Sequence, residues 1–180
     1  TQPPEESLAR IIHNTYEKKG TVLIPAFAVG RAQMILYYLY QLKKQKKIPS
    51  IPIYLDSPMS IDATNIMQDF SEEIRLSAEM CKKVCAVAHY VHTREESKKL
   101  DESNDPKIII SASGMATGGR ILHHIKTFGP YPENTILFAG YQAIGTRGAD
   151  MLAGKKLIKL LGLVVPIEAQ VDFLPNLSAH

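Results

Sequence analysis

Apolar residues along this chain switch repeatedly between helical spacing and short unbroken runs. After Pro3-Pro4, Leu8, Ile11, Ile12 and Tyr16 recur at helical intervals, with Glu5 and Glu6 early and Lys18-Lys19-Gly20 late, which predicts a helix over 5–19. Thr21-Val-Leu-Ile24, ended by Pro25, predicts a buried strand. From Gly30 the helical period returns with Met34, Ile35, Tyr38, Leu39 and Leu42 on one face. Lys43, Lys44, Lys46 and Lys47 close that helix and read as a solvated end complementing the helix dipole rather than a nucleic-acid patch. Residues 51–55 predict a second strand, Asp56-Ser57-Pro58 a turn, and 61–70 a helix. Residues 85–91 alternate loosely, like an edge strand. Thr93-Arg-Glu-Glu96 is a capping box opening a charged helix to about Leu100, and Lys107-Ile-Ile-Ile110 predicts a short central strand. A helix over 119–126, with Ile121, Leu122 and Ile125 inward, and a strand over 134–139 follow. Such alternation predicts an α/β, Rossmann-like fold: a mostly parallel sheet with helices on both faces. From about residue 155 only strands are predicted, over 157–160 and 164–171, so the boundary is placed between residues 1–154 and 155–180.

Composition narrows the class. The 180 residues are 45% hydrophobic and 22% charged, enough for one packed domain and unlike disordered, collagen-like or coiled-coil chains. The longest apolar run, 157–167, is interrupted by Lys159, Gly162 and Pro166 and falls short of the ~20 residues of a membrane span, so no membrane partner is expected. Two cysteines do not make a disulfide framework, which favours a reducing compartment and a cytoplasmic location. A net charge of +3 and an isoelectric point near 8.8 are modest, so any basic surface must be local. The chain starts at Thr1 without a Met and ends Ser178-Ala179-His180, from which a piece of a larger protein is expected.

The glycines add chemistry. Seven of the 11 fall in three loops, each after a predicted strand: Gly30, then Gly114, Gly118 and Gly119, then Gly140, Gly145 and Gly148. Gly20, Gly129, Gly154 and Gly162 read as helix ends and turns. In parallel sheets such loops line the ligand crevice, where glycine lets backbone N–H groups approach an anion. Ser111, Ser113, Thr117 and Thr146 supply hydroxyls there, and Arg31, Arg120 and Arg147 supply guanidinium groups. Neither G-x-G-x-x-G nor G-x-x-x-x-G-K-[ST] occurs, so the ligand reads as phosphate-like without a common nucleotide motif.

Four segments carry a family resemblance: Ile24-Pro-Ala-Phe-Ala-Val-Gly-Arg-Ala-Gln33, Ile53-Tyr-Leu-Asp-Ser-Pro-Met59, Ser111-Ala-Ser-Gly-Met-Ala-Thr-Gly-Gly-Arg120 and Phe138-Ala-Gly-Tyr-Gln-Ala-Ile-Gly-Thr-Arg-Gly148. In this order they resemble the β-CASP insert of metallo-β-lactamase-fold nucleases, closest to the bacterial RNA-processing members. Ser178-Ala179-His180 resembles the start of that family's S-A-H-x-D motif. The resemblance implies a parent zinc-dependent ribonuclease in which a metallo-β-lactamase core binds two zinc ions, and single-stranded RNA enters the cleft between core and insert. The H-x-H-x-D-H zinc motif is absent, so this chain is expected to hold no zinc and to be inactive alone, with residues 155–180 returning to the core. Carried over by resemblance, His180 is the catalytic candidate, in contact with the scissile phosphate. Ser113, Gly114 and Met115, with Gly145, Thr146 and Gly148, are the RNA phosphate-binding candidates. Arg31 either joins them or forms an ion pair with a carboxylate such as Asp56. Gly118 and Gly119 serve helix packing as readily as RNA.

Other groupings read more blandly. Cys81, Cys85 and His89 fall four residues apart, yet the strand expected from residue 85 leaves only the two cysteines on one turn, as reduced core residues. His123 and His124 are adjacent and point about 100° apart on a helix, so one faces RNA or both lie on a polar outer face. Tyr141 is the base-stacking candidate. Two further readings stay open: a non-catalytic RNA-binding or scaffolding subunit, and a Rossmann-like domain for a small anion or nucleotide. A homo-oligomer is also open, because residues 157–174 would carry unpaired edges without the core and be disordered or self-associate.

Overall fold

The computed structural model describes residues 2–69 and 77–175; His180 and Phe70 lie outside the described residues. Six strands form one parallel sheet in the order β3-β2-β4-β1-β5-β8: β1 (Val22–Pro25), β2 (Ile53–Leu55), β3 (His89–Tyr90), β4 (Ile108–Ser111), β5 (Thr135–Phe138) and β8 (Gln170–Phe173). Helices α1 (Pro4–Glu17), α2 (Arg31–Lys44), α3 (Pro58–Asp69), α4 (Ala78–Cys85), α5 (Arg94–Glu102), α6 (Ile121–Phe128) and α7 (Arg147–Leu152) connect them. The expected α/β fold is therefore the observed one.

Strand periodicity explains the layers. Side chains alternate along each strand, so Val22 and Ile24 face one way and Leu23 the other. The first face packs Ile24, Ile53, Leu55 and Ile110 against Leu8 and Ile12 of α1 and Ile35 and Leu39 of α2. The second packs Leu23, Ile109, Ile136 and Phe138 against Ile121, Ile125 and Phe128 of α6. β1 and β4 are central and buried at every position, which is why both read as unbroken apolar runs.

Two expectations change. Cys85, expected to open a strand, instead ends helix α4: the Ser77 hydroxyl accepts the Met80 amide at 3.1 Å, and Cys81, Val84 and Cys85 form the buried face of that helix. The edge strand survives only as the two residues of β3. The predicted strand over 164–171 is two strands. β7 (Leu163–Pro166) pairs antiparallel with β6 (Leu157–Leu160) through a turn with Leu161 at φ 51° and Gly162 at φ 73°, and β8 joins β5 in parallel. Between them the Gly129 carbonyl accepts the amides of Glu168 and Ala169, both at 2.9 Å, and steers the chain onto the sheet. Among the described residues the edges expected over 157–174 remain unpaired, since β6 and β7 pair only with each other and β8 ends the six-stranded sheet, and Leu157, Leu163, Val164 and Phe173 are exposed, but the segment is folded onto this domain. Ile158, Leu160, Val165 and Ile167 are buried in the second core.

Candidate functional site

Parallel strands put the loops that follow them on one edge, and here 26–30, 56–57, 112–120 and 139–146 share the carboxyl edge after β1, β2, β4 and β5. The loops are interlocked. Gly114 is seated against Phe27 so closely that a Cβ would lie 2.9 Å from the Phe27 nitrogen. The Gln142 amide donates to the carbonyls of Gly114 and Gly140, both at 2.9 Å, and the Gly148 N–H donates to the Met115 carbonyl at 3.0 Å. This brings together the candidates Ser113, Gly114 and Met115 with Gly145, Thr146 and Gly148.

Their hydroxyls are committed elsewhere. Ser113 Oγ accepts the amides of Thr117 and Gly118 at 2.9 and 3.1 Å and lies 3.1 Å from the Gly118 carbonyl. Thr146 Oγ1 donates to the Ala143 carbonyl at 2.6 Å and caps α7 by accepting the Ala149 amide. What the edge offers a ligand is backbone: the amides of Gly114, Met115 and Gly145 donate to no acceptor among the described residues. Gly145 sits at φ 90° with open space where a Cβ would be. Phe27, Val29, Tyr141 and Ile144 stand exposed around these amides, Tyr141 at 72%. The edge can hold an anion by oriented dipoles and a flat ring by stacking.

The arginines divide differently from expectation. Arg31 is buried, with Nη1 3.9 Å from Met34 Sδ, and the partners of Asp56 are others. Arg147 braces loops, donating to the carbonyls of Lys159 at 2.7 Å, Ala116 at 3.2 Å and Thr117 at 3.3 Å. Arg120 donates to Asp56 Oδ1 at 2.8 Å and to the Val91 and His92 carbonyls.

Asp56 is the hub that the sequence reading missed. Its fully buried carboxylate also receives Ser97 Oγ and, at 2.6 Å, His124 Nε2, while His124 Nδ1 lies 2.5 Å from Asp101 Oδ1. A ring with a carboxylate on each nitrogen is an imidazolium donating twice. Burial opposes that charge, but the bonds to Asp101 and Asp56 outweigh it and raise the His124 pKa. Burial likewise works against the Asp56 charge, and its bonds from His124, Ser97 and Arg120 prevail and lower its pKa. His124 therefore faces neither RNA nor an outer surface; only His123 is exposed. A signal existed: Ile121, His124, Ile125 and Phe128 share one helical stripe, and Arg120 is four residues before His124.

Among the described residues no three His, Cys, Asp or Glu side chains are placed to hold a metal ion. The Asp56–His124–Asp101 line uses both ring nitrogens as donors, and Cys81 and Cys85 are buried side by side on α4, so these residues do not fit a zinc ion of the kind the resemblance implies for the parent protein.

Comparison with known proteins matches the Beta-Casp domain family over residues 32–151. The chain is 39% identical over 176 residues to Ribonuclease TTHA0252 of Thermus thermophilus, covering 94% of this chain and 40% of that protein. It is 35% identical to Transcription termination factor FttA of Pyrococcus horikoshii, covering 98% of this chain and 29% of the relative. To an RNase J-like protein of Methanocaldococcus jannaschii it is 34% identical, covering 98% of this chain and 41% of the relative. The chain thus spans about two fifths or less of the length of these relatives.

Proposed function

The chain belongs to the Beta-Casp domain family, and from that premise we propose that it is the RNA-holding clamp of a metallo-β-lactamase-fold ribonuclease. The observation that carries the reading is the row of amides at Gly114, Met115 and Gly145 on one sheet edge, which have no partner among the described residues and are ringed by exposed Phe27 and Tyr141. Phosphate oxygens of single-stranded RNA accept from those amides, and a base stacks on Tyr141. Ser113 and Thr146 with their hydroxyls and Gly148 with its amide keep the loops in shape rather than touching RNA, and Arg31 lies buried beneath. Bond cleavage belongs to a core outside this chain. There the two zinc ions implied by the family are held, and His180, beyond the described residues, meets the scissile phosphate.

Titration of the chain with a single-stranded oligoribonucleotide and with a mononucleotide tests this. The oligonucleotide should bind more tightly, and its affinity should fall with salt. Preference for the mononucleotide, without salt dependence for RNA, would return the domain to small-anion binding. RNA hydrolysis by the pure chain that tracked mutations in its own residues would refute the division of labour.

A further inference from the structure

We propose that the groove between α5 and α6 is a second phosphate subsite, through which RNA held at the glycine loops continues along the sheet edge. This rests on the RNA reading above and extends it to a surface that the family resemblance does not assign. The groove has a volume of about 680 Å³, and Arg94, Lys98, Asp101, Arg120, His123 and Leu161 are among the residues lining it.

Its charge follows from the pairing inside the wall. Asp56 and Asp101 carry two negative charges; the His124 imidazolium that bridges them and Arg120, paired with Asp56, carry two positive ones. The carboxylates are therefore spent. Arg94 and Lys98 are exposed and enter no hydrogen bond or ion pair among the described residues, leaving the groove with two uncompensated cations and the exposed His123 ring. Two cations over an apolar rim suit a phosphodiester chain.

The groove is continuous with the amide site and rigid. Gly119 and Arg120, which line it, end the same loop in which Gly114 and Met115 present their amides. Gly119, at φ 82°, lies so close to the Ala112 carbonyl that a Cβ would sit 2.5 Å from its oxygen. Leu161, at the tip of the β6–β7 hairpin, closes one end, and Arg147 ties that hairpin to the loop through the Lys159, Ala116 and Thr117 carbonyls. Both walls are thus fixed before any ligand arrives.

Fluorescence anisotropy on the 180-residue chain tests the proposal, with labelled single-stranded oligoribonucleotides of about 4 and about 16 nucleotides. The variant is Arg94→Ala/Lys98→Ala; Lys46→Ala/Lys47→Ala, which removes the same charge from the far end of α2, is the control. For the longer RNA the groove variant should bind roughly tenfold more weakly, and its salt slope should fall by about 1.4, the loss of two phosphate contacts. The control should match the wild type. Wild-type affinity and slope in the groove variant, or equal losses in both variants, would overturn the groove while leaving the clamp standing. A wild-type chain that bound neither RNA would overturn the clamp and the groove together. Displacement of the long RNA by a mononucleotide at matched phosphate would assign the groove to a small ligand and overturn the RNA path.

Discussion

Removing the carboxylate of Asp56 should cost more than any other single polar change in this domain, and changing only its charge should alter how stability responds to pH. Asp56 is fully buried and receives Arg120 Nη1 at 2.8 Å, His124 Nε2 at 2.6 Å and Ser97 Oγ. Asp56→Ala leaves two cations and a hydroxyl facing a void. Breaking a buried pair from one side costs about 3–5 kcal/mol, a large share of the ~5–15 kcal/mol that holds a domain together, and lowers Tm by roughly 6–20 °C at this size. Asp56→Asn keeps the shape and the acceptor for Arg120, but its amide can bond Nε2 only if His124 gives up that proton. The raised pKa of His124 means that its contribution in the wild type is fully present below its ordinary value of 6.5 and is lost as pH rises through the raised value. The lowered pKa of Asp56 means that its contribution is present above 3.8 and is lost as pH falls through the depressed value. Wild-type stability should therefore plateau between these limits and decline on the alkaline side, and the gap to Asp56→Asn should narrow as pH climbs from 6.5 through the raised His124 value. Urea melts across that range, with the His124 ring proton followed by NMR, provide the reading. A gap that stayed constant or widened with pH, or a wild-type His124 titrating at or below 6.5, would refute the doubly donating imidazolium.

Gly114→Ala should weaken oligoribonucleotide binding and cost about 1–3 kcal/mol, because its Cβ would press on the Phe27 nitrogen at 2.9 Å and displace the amides beside it; anisotropy and urea melts read both effects. Arg147→Ala should release the β6–β7 hairpin from the 112–120 loop, seen as faster amide exchange in both segments, with a stability loss of about 2 kcal/mol for three carbonyls left without their charged donor.

The parallel sheet was legible because its strands write themselves as apolar runs: buried on both faces, Val22–Pro25 and Ile108–Ser111 admit little polarity. The glycine loops were legible for a similar reason, since each follows such a run. The partners of the arginines were not. Arg147 is satisfied by three main-chain carbonyls, and every residue type carries a carbonyl, so nothing in the sequence marks the acceptor. Asp56, Asp101 and His124 are distant in sequence and meet only because α5 and α6 pack together, although the apolar stripe of α6 already placed His124 inward. How the segment after residue 154 packs was not legible, because four-residue strands look alike whether they pair within a domain or outside it. Pro166 and the Gly129 carbonyl decide the matter, and the second of these is a long-range contact.

The net charge of +3 then acquires a location. Arg120 and Arg147 neutralise a carboxylate and brace carbonyls, and Arg31 is buried, so the arginines next to the glycines mainly build the edge that presents the amides. Amides are dipoles without counterions to release, so an anion held by them contributes little salt dependence, whereas one held by Arg94 and Lys98 contributes about 0.7 of slope per phosphate. The proposed clamp therefore assigns position and affinity to different parts of one edge. In it the glycine loops would fix where a phosphate sits whatever the ionic strength, and the α5–α6 groove would set how strongly the rest of the strand is retained as salt changes.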